Sequence, residues 1–380
     1  MDPHGPIARR FPLVARARPG CLPLPARVGK IRKLADEAER EAYQGVASSI
    51  FNQAALLASD LGLPDTARYW CHRHAAAYLR LCPLGGMDAI RNLEPIINLA
   101  RLHIRAGHGD QGHRLLLSLY EAVTESKAAV LDGITVPANL TATDADRQEV
   151  RQWLWRVIIA DGTRALTASG RWRDALAHVR QHHGIGKHML DGRQVAVLAL
   201  ATTGDHAGAQ QLLSDTAPGE PWENAVTACL TVLCRPPGHR PTDEEIDSLL
   251  TRCRQVGFRA DLVVFHTRLT LSAIDAVGRD RHRRVQTQVA QLVDQILEVG
   301  DGYAARDVLT HAACALLMTD RQRYSLTQVL DACALDRRTV PPELDKDLSA
   351  SLDRAEAVIT GQSVHVDDGR ILTDPQSTGP

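Results

Sequence analysis

Apolar residues recur at helical spacing along most of the chain, and this periodicity limits the possible folds more than any other feature of the sequence. Gly and Pro interrupt the pattern at intervals that suit helices of about 12 to 20 residues. Hydrophobic residues make up 44% of the chain but aromatic residues only 4%, so the core must consist mainly of Ala, Leu, Val and Ile. Such small or flexible side chains allow close contacts between helices. The sequence therefore predicts an all-α protein.

Capping and turn signals place several of the helices. Thr242 and Glu245 have the spacing of a capping box, in which the hydroxyl accepts an orphan N–H and the carboxylate reaches back to the cap. Pro64 suits the first turn of a helix, where its missing N–H has no partner to lose. The predicted helical segments are 31–61, 64–82, 87–106, 111–126, 242–256, 259–277, 281–299, 302–318, 322–334 and 342–359.

A pattern of small residues recurs at the turns between these helices. Gly170 is followed five residues later by Ala175, and 34 residues further on Gly204 and Ala209 repeat the arrangement. Gly allows the left-handed backbone that often ends a helix, and Ala lets the next helix approach closely. Weaker copies place Gly62 with Ala67 and Gly107 with Gly112. Because a helix pair cannot bury its apolar face alone, the recurrence predicts pairs that pack on one another.

This spacing resembles the tetratricopeptide repeat (TPR) family, whose unit is a 34-residue helix–turn–helix. The copies lack most of the family's aromatic residues and its closing proline. The helix pairs are also similar to the sensor regions attached to helix-turn-helix regulators in bacteria, although no DNA-binding module precedes them. The resemblance implies a right-handed solenoid of stacked antiparallel helix pairs, with a concave face that binds a protein or peptide.

The composition divides the chain into three parts. We expect residues 1–30 to form a disordered, basic, Pro-rich arm, residues 31–360 to form the TPR-like repeat domain, and residues 361–380 to form a disordered tail. A basic arm of this kind can also bind nucleic acid by counterion release, which makes a nucleic-acid accessory protein one alternative. Its basic residues are Arg9, Arg10, Arg16, Arg18, Arg27, Lys30, Arg32 and Lys33.

The charge and cysteine content narrow the class of protein further. The 44 basic and 45 acidic residues give a formal charge of -1, so no field from the whole protein attracts nucleic acid or anionic lipid. The eight cysteines contain no C-x-x-C pair and are interpreted as free thiols of a reducing compartment. No apolar run approaches the roughly 20 residues that a membrane-spanning helix needs. These features predict a cytoplasmic protein without a membrane partner, while a dimer remains open.

The register set by the glycines predicts which polar residues line the concave face. Three of them, at i, i+3 and i+7 of one helix, form a stripe that could clamp a carboxylate or phosphate. The alternative is that these side chains form ion pairs with neighbouring acids. The predicted partner-binding residues are Asn52, Asn98, Arg101, Arg105, Asp161 and Arg164.

The sequence contains none of the motifs that usually carry catalysis or bind nucleotides. His178 and His182 have the i, i+4 spacing of zinc-binding helices, and His183 and His188 lie nearby, but no Glu lies between the first two. A helical-bundle enzyme with a metal or dispersed site at this cluster is therefore the second alternative. The leading prediction is a non-catalytic binding scaffold or regulatory sensor, with no cofactor and no metal.

Overall fold

The computed structural model describes residues 1–278 and 282–361, and within these ranges the chain is helical apart from loops and a short hairpin. A π-helical turn, Ile158–Gly162, joins α7 to α8, and a 3-10 helix, Ala260–Leu262, precedes α14. The elements are α1 Pro6–Arg10, α2 Leu24–Glu41, α3 Gln44–Asp60, α4 Pro64–Leu79, α5 Gly86–Arg105, α6 Gly109–Glu125, β1 Ala129–Leu131, β2 Ile134–Val136, α7 Asp144–Val157, α8 Thr163–Ala168, α9 Trp172–Gln181, α10 Asp191–Thr202, α11 His206–Ser214, α12 Pro221–Leu233, α13 Asp243–Gln255, α14 Val263–Val277, α15 His282–Val299, α16 Gly302–Leu309, α17 Ala312–Leu317, α18 Asp320–Cys333 and α19 Pro342–Thr360.

The local signals located most helices correctly. The capping box before α13 is confirmed: the Glu245 N–H donates to Thr242 Oγ1 at 3.2 Å, and the Thr242 N–H donates to Glu245 Oε2 at 2.9 Å. Two predicted helices are each divided in two. The segment 31–61 breaks where Ala42 adopts a left-handed backbone, and the segment 302–318 breaks at His311, whose side chain caps α17. Residue 281, the predicted start of α15, lies outside the described residues.

Consecutive helices pack against each other around the recurring glycines. Gly170 and Gly204 have φ angles of 71° and 90°, so both turns use the left-handed region that Gly enters without steric cost. Ala175 and Ala209, five residues later, are completely buried. Helices α8 and α9 are in contact, as are α9 and α10, and α10 and α11. Glycines end α3 and α5 in the same way.

The hydrophobic core is a chain of adjoining clusters. One cluster is formed mainly by α2, α3, α4 and α19, and the next by α5, α6, α7 and the hairpin. A third includes α10, α11, α12 and part of α14, and a fourth joins α14 to α18. Each cluster is built mostly by helices that are close in sequence. The exceptions are α19 in the first cluster and the N-terminal residues Ala8, Phe11 and Leu13 in the third.

Residues 1–30, for which we expected a disordered arm, are packed against the body in the structure, and α2 already begins at Leu24. Phe11 is 2% exposed and Leu13 is 3% exposed, and both belong to the same core cluster as α10 and α12. Trp172 Nε1 donates to the carbonyl of Pro3 at 2.9 Å. A Pro-rich extended segment needs no internal hydrogen bonds, so it can lie against other elements as readily as in water. Of the predicted tail, residues 362–380 lie outside the described residues.

The last helix packs on the first ones. The polar stretch from Asp345 to Arg354 belongs to α19, which lies against α2 and α3. Arg354 donates to Asp36 of α2 at 2.6 Å. The linker before α19 is held by α3, since the Asp336 N–H donates to the Asp60 carbonyl at 2.8 Å. The two ends of the helical region are therefore joined.

The hairpin was not predicted, although its turn has a clear local signal. Asp132 and Gly133 both have positive φ, which is the conformation of the two-residue turns favoured by Asp-Gly. The strands pair in antiparallel register, with Leu131 opposite Ile134. Arg68 makes two hydrogen bonds of 2.8 Å to the Asp132 carboxylate. Burial alone would raise the pKa of Asp132, but the hydrogen bonds and charge of Arg68 lower it below its usual range.

Candidate functional site: a polar network beside an arginine cluster

Four of the six predicted binding residues form a continuous hydrogen-bonded network. Asn98 Nδ2 on α5 donates to Asn52 Oδ1 on α3 at 2.8 Å. Arg101 donates to Asn98 Oδ1 at 3.1 Å and makes bonds of 2.8 and 3.2 Å to the carboxylate of Asp161. The network therefore links α3, α5 and the π-helical turn. The predicted register does bring these side chains together, although Arg101 is ion-paired, as the alternative interpretation held.

Glu94 continues this network and was missed in the sequence analysis. Asn52 Nδ2 donates to Glu94 Oε2 at 2.5 Å, and Ser48 Oγ donates to the same oxygen at 3.4 Å. Burial raises the pKa of the half-buried Glu94, and the hydrogen bonds from Asn52 and Ser48 partly oppose that effect. Glu94 lies one helical turn before Asn98, so helical spacing could have identified it.

Arg105 has a structural role that the sequence did not suggest. It donates to Asp60 Oδ1 at 3.1 Å, and Asp60 also accepts from Arg27 at 2.6 Å and from the Tyr303 hydroxyl at 2.5 Å. Asp60 is 6% exposed. These contacts join α2, α3, α5 and α16 at one buried carboxylate. Arg105 therefore does not extend the predicted clamp beyond Arg101.

The side chain of Arg164, the sixth predicted residue, has no hydrogen-bond or ion-pair partner among the residues that the structure describes. It lies on α8, two residues after the π-helical turn that contains Asp161. Its side chain is half-buried, and burial together with the positive charge of Arg268 lowers its pKa. π-Helical turns occur frequently at functional sites. An unpaired guanidinium at such a turn is a candidate anion ligand.

Arg18 of the N-terminal segment adds a second unpaired guanidinium to this region. Within the described part of the chain it too makes no hydrogen bond or ion pair, and the exposed Arg18 lines a cavity beside the N-terminal segment. The neighbouring protein atoms displace water from around the guanidinium of Arg18, and this desolvation lowers its pKa to about 10. The positive charges of Arg164 and Arg268 contribute to the decrease. We call Arg18, Arg164 and Arg268 the arginine cluster. The sequence could not reveal it, because these residues are far apart in the chain.

The N-terminal segment is bound by the helices as an extended peptide would be. The side-chain amide of Gln194 on α10 brackets the backbone of Leu13: the Leu13 N–H donates to Gln194 Oε1 at 2.7 Å, and Gln194 Nε2 donates to the Leu13 carbonyl at 2.7 Å. Gln194 is fully buried. Arg16 forms an ion pair with Asp191, and Arg10 forms one with Asp275. The helices thus fix both the backbone and the charges of this segment.

The pairing of the segment's basic residues bears on the nucleic-acid alternative. Arg10, Arg16 and Arg27 each pair with a carboxylate of the body, and Arg32 lies 3.4 Å from Asp347. Paired charges release few counterions on binding a polyanion. Four of the eight basic residues of the predicted arm are therefore paired within the protein.

The histidines predicted as a possible metal site contact other groups of the protein instead. His178 Nε2 lies 2.8 Å from the carbonyl of Ile158, the first residue of the π-helical turn, and His178 Nδ1 lies 3.3 Å from His113 Nε2. Burial lowers the pKa of His178 to about 4. His188 instead lies 3.4 Å from Glu223. Among the described residues, no group of three or more His, Cys, Asp or Glu side chains is arranged to hold a metal ion.

Comparisons with known proteins add no relative. No protein-family model matches the chain, and neither the curated proteins nor the solved structures include a match. Among the described residues, no helix is long and apolar enough to cross a membrane. The function must therefore be argued from the geometry of the molecule.

Proposed function

We propose that this chain is a non-catalytic binding protein, a scaffold or regulatory sensor, built as a TPR-like right-handed solenoid of stacked antiparallel helix pairs. Its concave face would receive an extended peptide segment of a partner protein. The recurring Gly turns, the contacts between consecutive helices and the chain of adjoining core clusters support the solenoid. The absence of catalytic motifs from the sequence favours binding over catalysis.

The bracket between Gln194 and Leu13 carries the proposal. An extended peptide has an unpaired N–H and carbonyl at each residue, and a side-chain amide can satisfy both at once. The chain binds its own N-terminal segment in this way. Asn52 and Asn98 carry further amides, which are bonded to Glu94 and to each other until a partner replaces those bonds, and the unpaired guanidinium of Arg164 would attract a carboxylate or phosphate on the partner.

Co-purification of the full-length protein from its native cells tests this function. The double variant Asn98→Ala, Arg164→Ala removes one amide and one guanidinium of the proposed face. Its recovery of specific partners, measured by quantitative mass spectrometry, should fall about tenfold or more, because hydrogen bonds to a charged group contribute on the order of 1.5–3 kcal/mol each.

Arg40→Ala is the matched control, since Arg40 is exposed on α2 and lies away from the network. Its partner recovery should equal that of the wild type. Equal recovery by the double variant and the wild type would show that this face does not bind the partner. A stoichiometric metal ion in the purified protein would instead favour the enzyme with a metal site.

A further inference from the structure

Two thiols that are far apart in the sequence meet where the N-terminal segment crosses the start of α16. Cys21 lies in that segment and Cys333 is the last residue of α18, and both are fully buried. The Cys333 thiol donates to the Cys21 carbonyl at 2.8 Å. The side chains of the two cysteines are also hydrogen-bonded to each other. The two sulfurs are therefore neighbours, although 312 residues separate them along the chain.

The absence of a side chain at Gly302 makes room for this pair. A Cβ atom built at Gly302 would lie 2.9 Å from Cys333 Sγ and 3.2 Å from Cys21 Sγ, so a single point is close to both sulfurs. The backbone of Cys21 is also fixed here, because its N–H donates to Asp301 Oδ2 at 2.7 Å and its carbonyl accepts from the Gly302 N–H at 2.7 Å. A disulfide needs an S–S distance of about 2.05 Å, which side-chain rotation can supply when the thiols already touch.

Arg27 lies beside the pair and favours its ionisation. Its N–H donates to Cys21 Sγ at 3.6 Å, and a positive charge stabilises a nearby thiolate, which is the nucleophilic form of cysteine. The hydrogen bond from the Cys21 thiol lowers the pKa of Cys333, whereas the hydrogen bond to Cys333 and burial raise the pKa of Cys21. The pair therefore ionises first at Cys333, with the Cys21 thiol as the hydrogen-bond donor.

A cavity of about 460 Å³ reaches the N-terminal segment at this point. Its lining includes Gly20 and Leu22, the two neighbours of Cys21, and also Asp301. The thiols themselves are covered, so they react when the segment opens locally around Cys21. The cavity has room for a small oxidant such as hydrogen peroxide, which a local opening of this kind would bring to the sulfurs.

We infer that Cys21 and Cys333 are a redox-sensitive pair, which hydrogen peroxide converts to a disulfide that ties the N-terminal segment to α18. The Cys333 thiolate attacks one peroxide oxygen, the O–O bond breaks and hydroxide leaves, so that Cys333 becomes a sulfenic acid. The Cys21 sulfur then attacks the Cys333 sulfur, and the sulfenic oxygen leaves as water with the Cys21 proton. Hydroxide takes up the proton that Cys333 released. Two thiols are thus oxidised to one disulfide while one peroxide is reduced to two waters.

Peptide mapping by mass spectrometry after brief treatment of the full-length protein with hydrogen peroxide tests this inference, which does not depend on the proposed peptide binding. Free thiols are blocked with N-ethylmaleimide under denaturing conditions before digestion. The native wild type should yield a peptide that links Cys21 to Cys333, and dithiothreitol should release it. The same treatment in urea should give about tenfold less of this link, because the unfolded chain rarely brings together residues so far apart.

Cys333→Ser should abolish the linked peptide. Cys82→Ser is the matched control, since Cys82 is part-exposed between α4 and α5, and it should form the link like the wild type. The disulfide should raise the unfolding temperature of the wild type by about 2–5 °C, because it restricts the unfolded chain. This shift should be absent in Cys333→Ser.

The peptide map of the wild type decides the test even if a variant does not fold. Recovery of Cys21 and Cys333 as free thiols from protein in which Cys82 is oxidised would overturn the inference. An equal yield of the link in the native and the urea-unfolded protein would do the same. An unfolding temperature that does not rise on oxidation would show that the disulfide does not tie down the segment.

Discussion

At the scale of single residues, two buried polar groups are satisfied by side chains from distant parts of the chain. Gln194 satisfies both backbone groups of Leu13, and Asp60 accepts hydrogen bonds from Arg27, Arg105 and Tyr303. A buried polar group without a partner costs about 1–3 kcal/mol. Each of these residues therefore fixes the relative position of elements that sequence separates widely.

His74 shows how a buried side chain makes stability depend on pH. Its ring stacks on Phe51 with centroids 5.0 Å apart, and Nε2 lies 2.9 Å from Ser48 Oγ. Burial lowers the pKa of His74 to about 3. The unfolded chain takes up a proton below about pH 6.5, whereas the folded protein does not. Stability is therefore lost as the pH falls from about 6.5 towards 3.

We predict that His74→Gln makes the protein less sensitive to acid. Near pH 5, His74 contributes about 1.4 kcal/mol per pH unit to the slope of unfolding free energy against pH, because one proton is bound on unfolding. The variant keeps a hydrogen-bonding group for Ser48 but removes this titration. Urea unfolding between pH 7 and 5 measures the slope. Replacement of the exposed His108 by Gln is the control, and an unchanged slope in His74→Gln would contradict the burial of a neutral imidazole.

The sequence allowed part of the candidate site to be predicted at this scale. Asn98, Arg101 and Asp161 were grouped correctly because helical spacing and the Gly turns set their register. Arg18 and Arg268 were missed, since they come together only when the N-terminal segment folds back over the helices. Periodicity reports which face of a helix is apolar, but it carries no information about contacts between distant segments.

At the scale of helices, close approach depends on small residues at defined positions. Gly112 on α6 packs against α5, and a Cβ atom built there would lie 2.8 Å from both the Ala100 carbonyl oxygen and Ile104 Cγ1. Gly29 on α2 has no atom within 4 Å of the same position. The two glycines lie in helices but face different surroundings.

We predict that Gly29→Ala stabilises the protein and Gly112→Ala destabilises it. Ala is favoured over Gly in a helix by about 1 kcal/mol, so Gly29→Ala should raise the free energy of unfolding by about that amount. At Gly112 the clash with backbone should outweigh this gain and cost about 1–3 kcal/mol. Chemical denaturation measures both values. Stabilisation by both substitutions would show that α5 and α6 are further apart than described.

Local rules explain why most helices could be predicted and some details could not. The cap at Thr242 and the turn at Gly170 depend on neighbouring residues alone, so the sequence is sufficient for them. The Asp132-Gly133 hairpin had an equally local signal that was overlooked. The break at Ala42 is different, because a left-handed Ala is unfavourable by itself and requires support from packing.

At the scale of the whole molecule, the N-terminal segment and the last described helix both pack against other helices. The last helix, α19, packs on α2 and α3, while residues 1–23 lie against α10, α14 and α16 through hydrogen bonds and ion pairs. Neither arrangement was predicted. A Pro-rich composition indicates an extended segment but does not distinguish a free segment from one bound along the protein.

Binding of the N-terminal segment is also the basis of the proposed function. If the helices hold Leu13 as they would hold a partner's backbone, the same chemistry is available to other extended peptides. The segment would then occupy part of the binding face at high effective concentration, so a partner must use neighbouring residues or displace it.

Amide hydrogen exchange of the full-length protein, measured by mass spectrometry over residues 11–16, tests this account most directly. We predict slow exchange in the wild type, because the Leu13 N–H is buried and bonded to Gln194. Gln194→Ala should accelerate it, whereas Gln211→Ala, which removes an exposed amide bonded to Asp215, should not. Exchange in the wild type at the rate of an unfolded peptide would contradict the bound segment and the peptide-binding function argued from it.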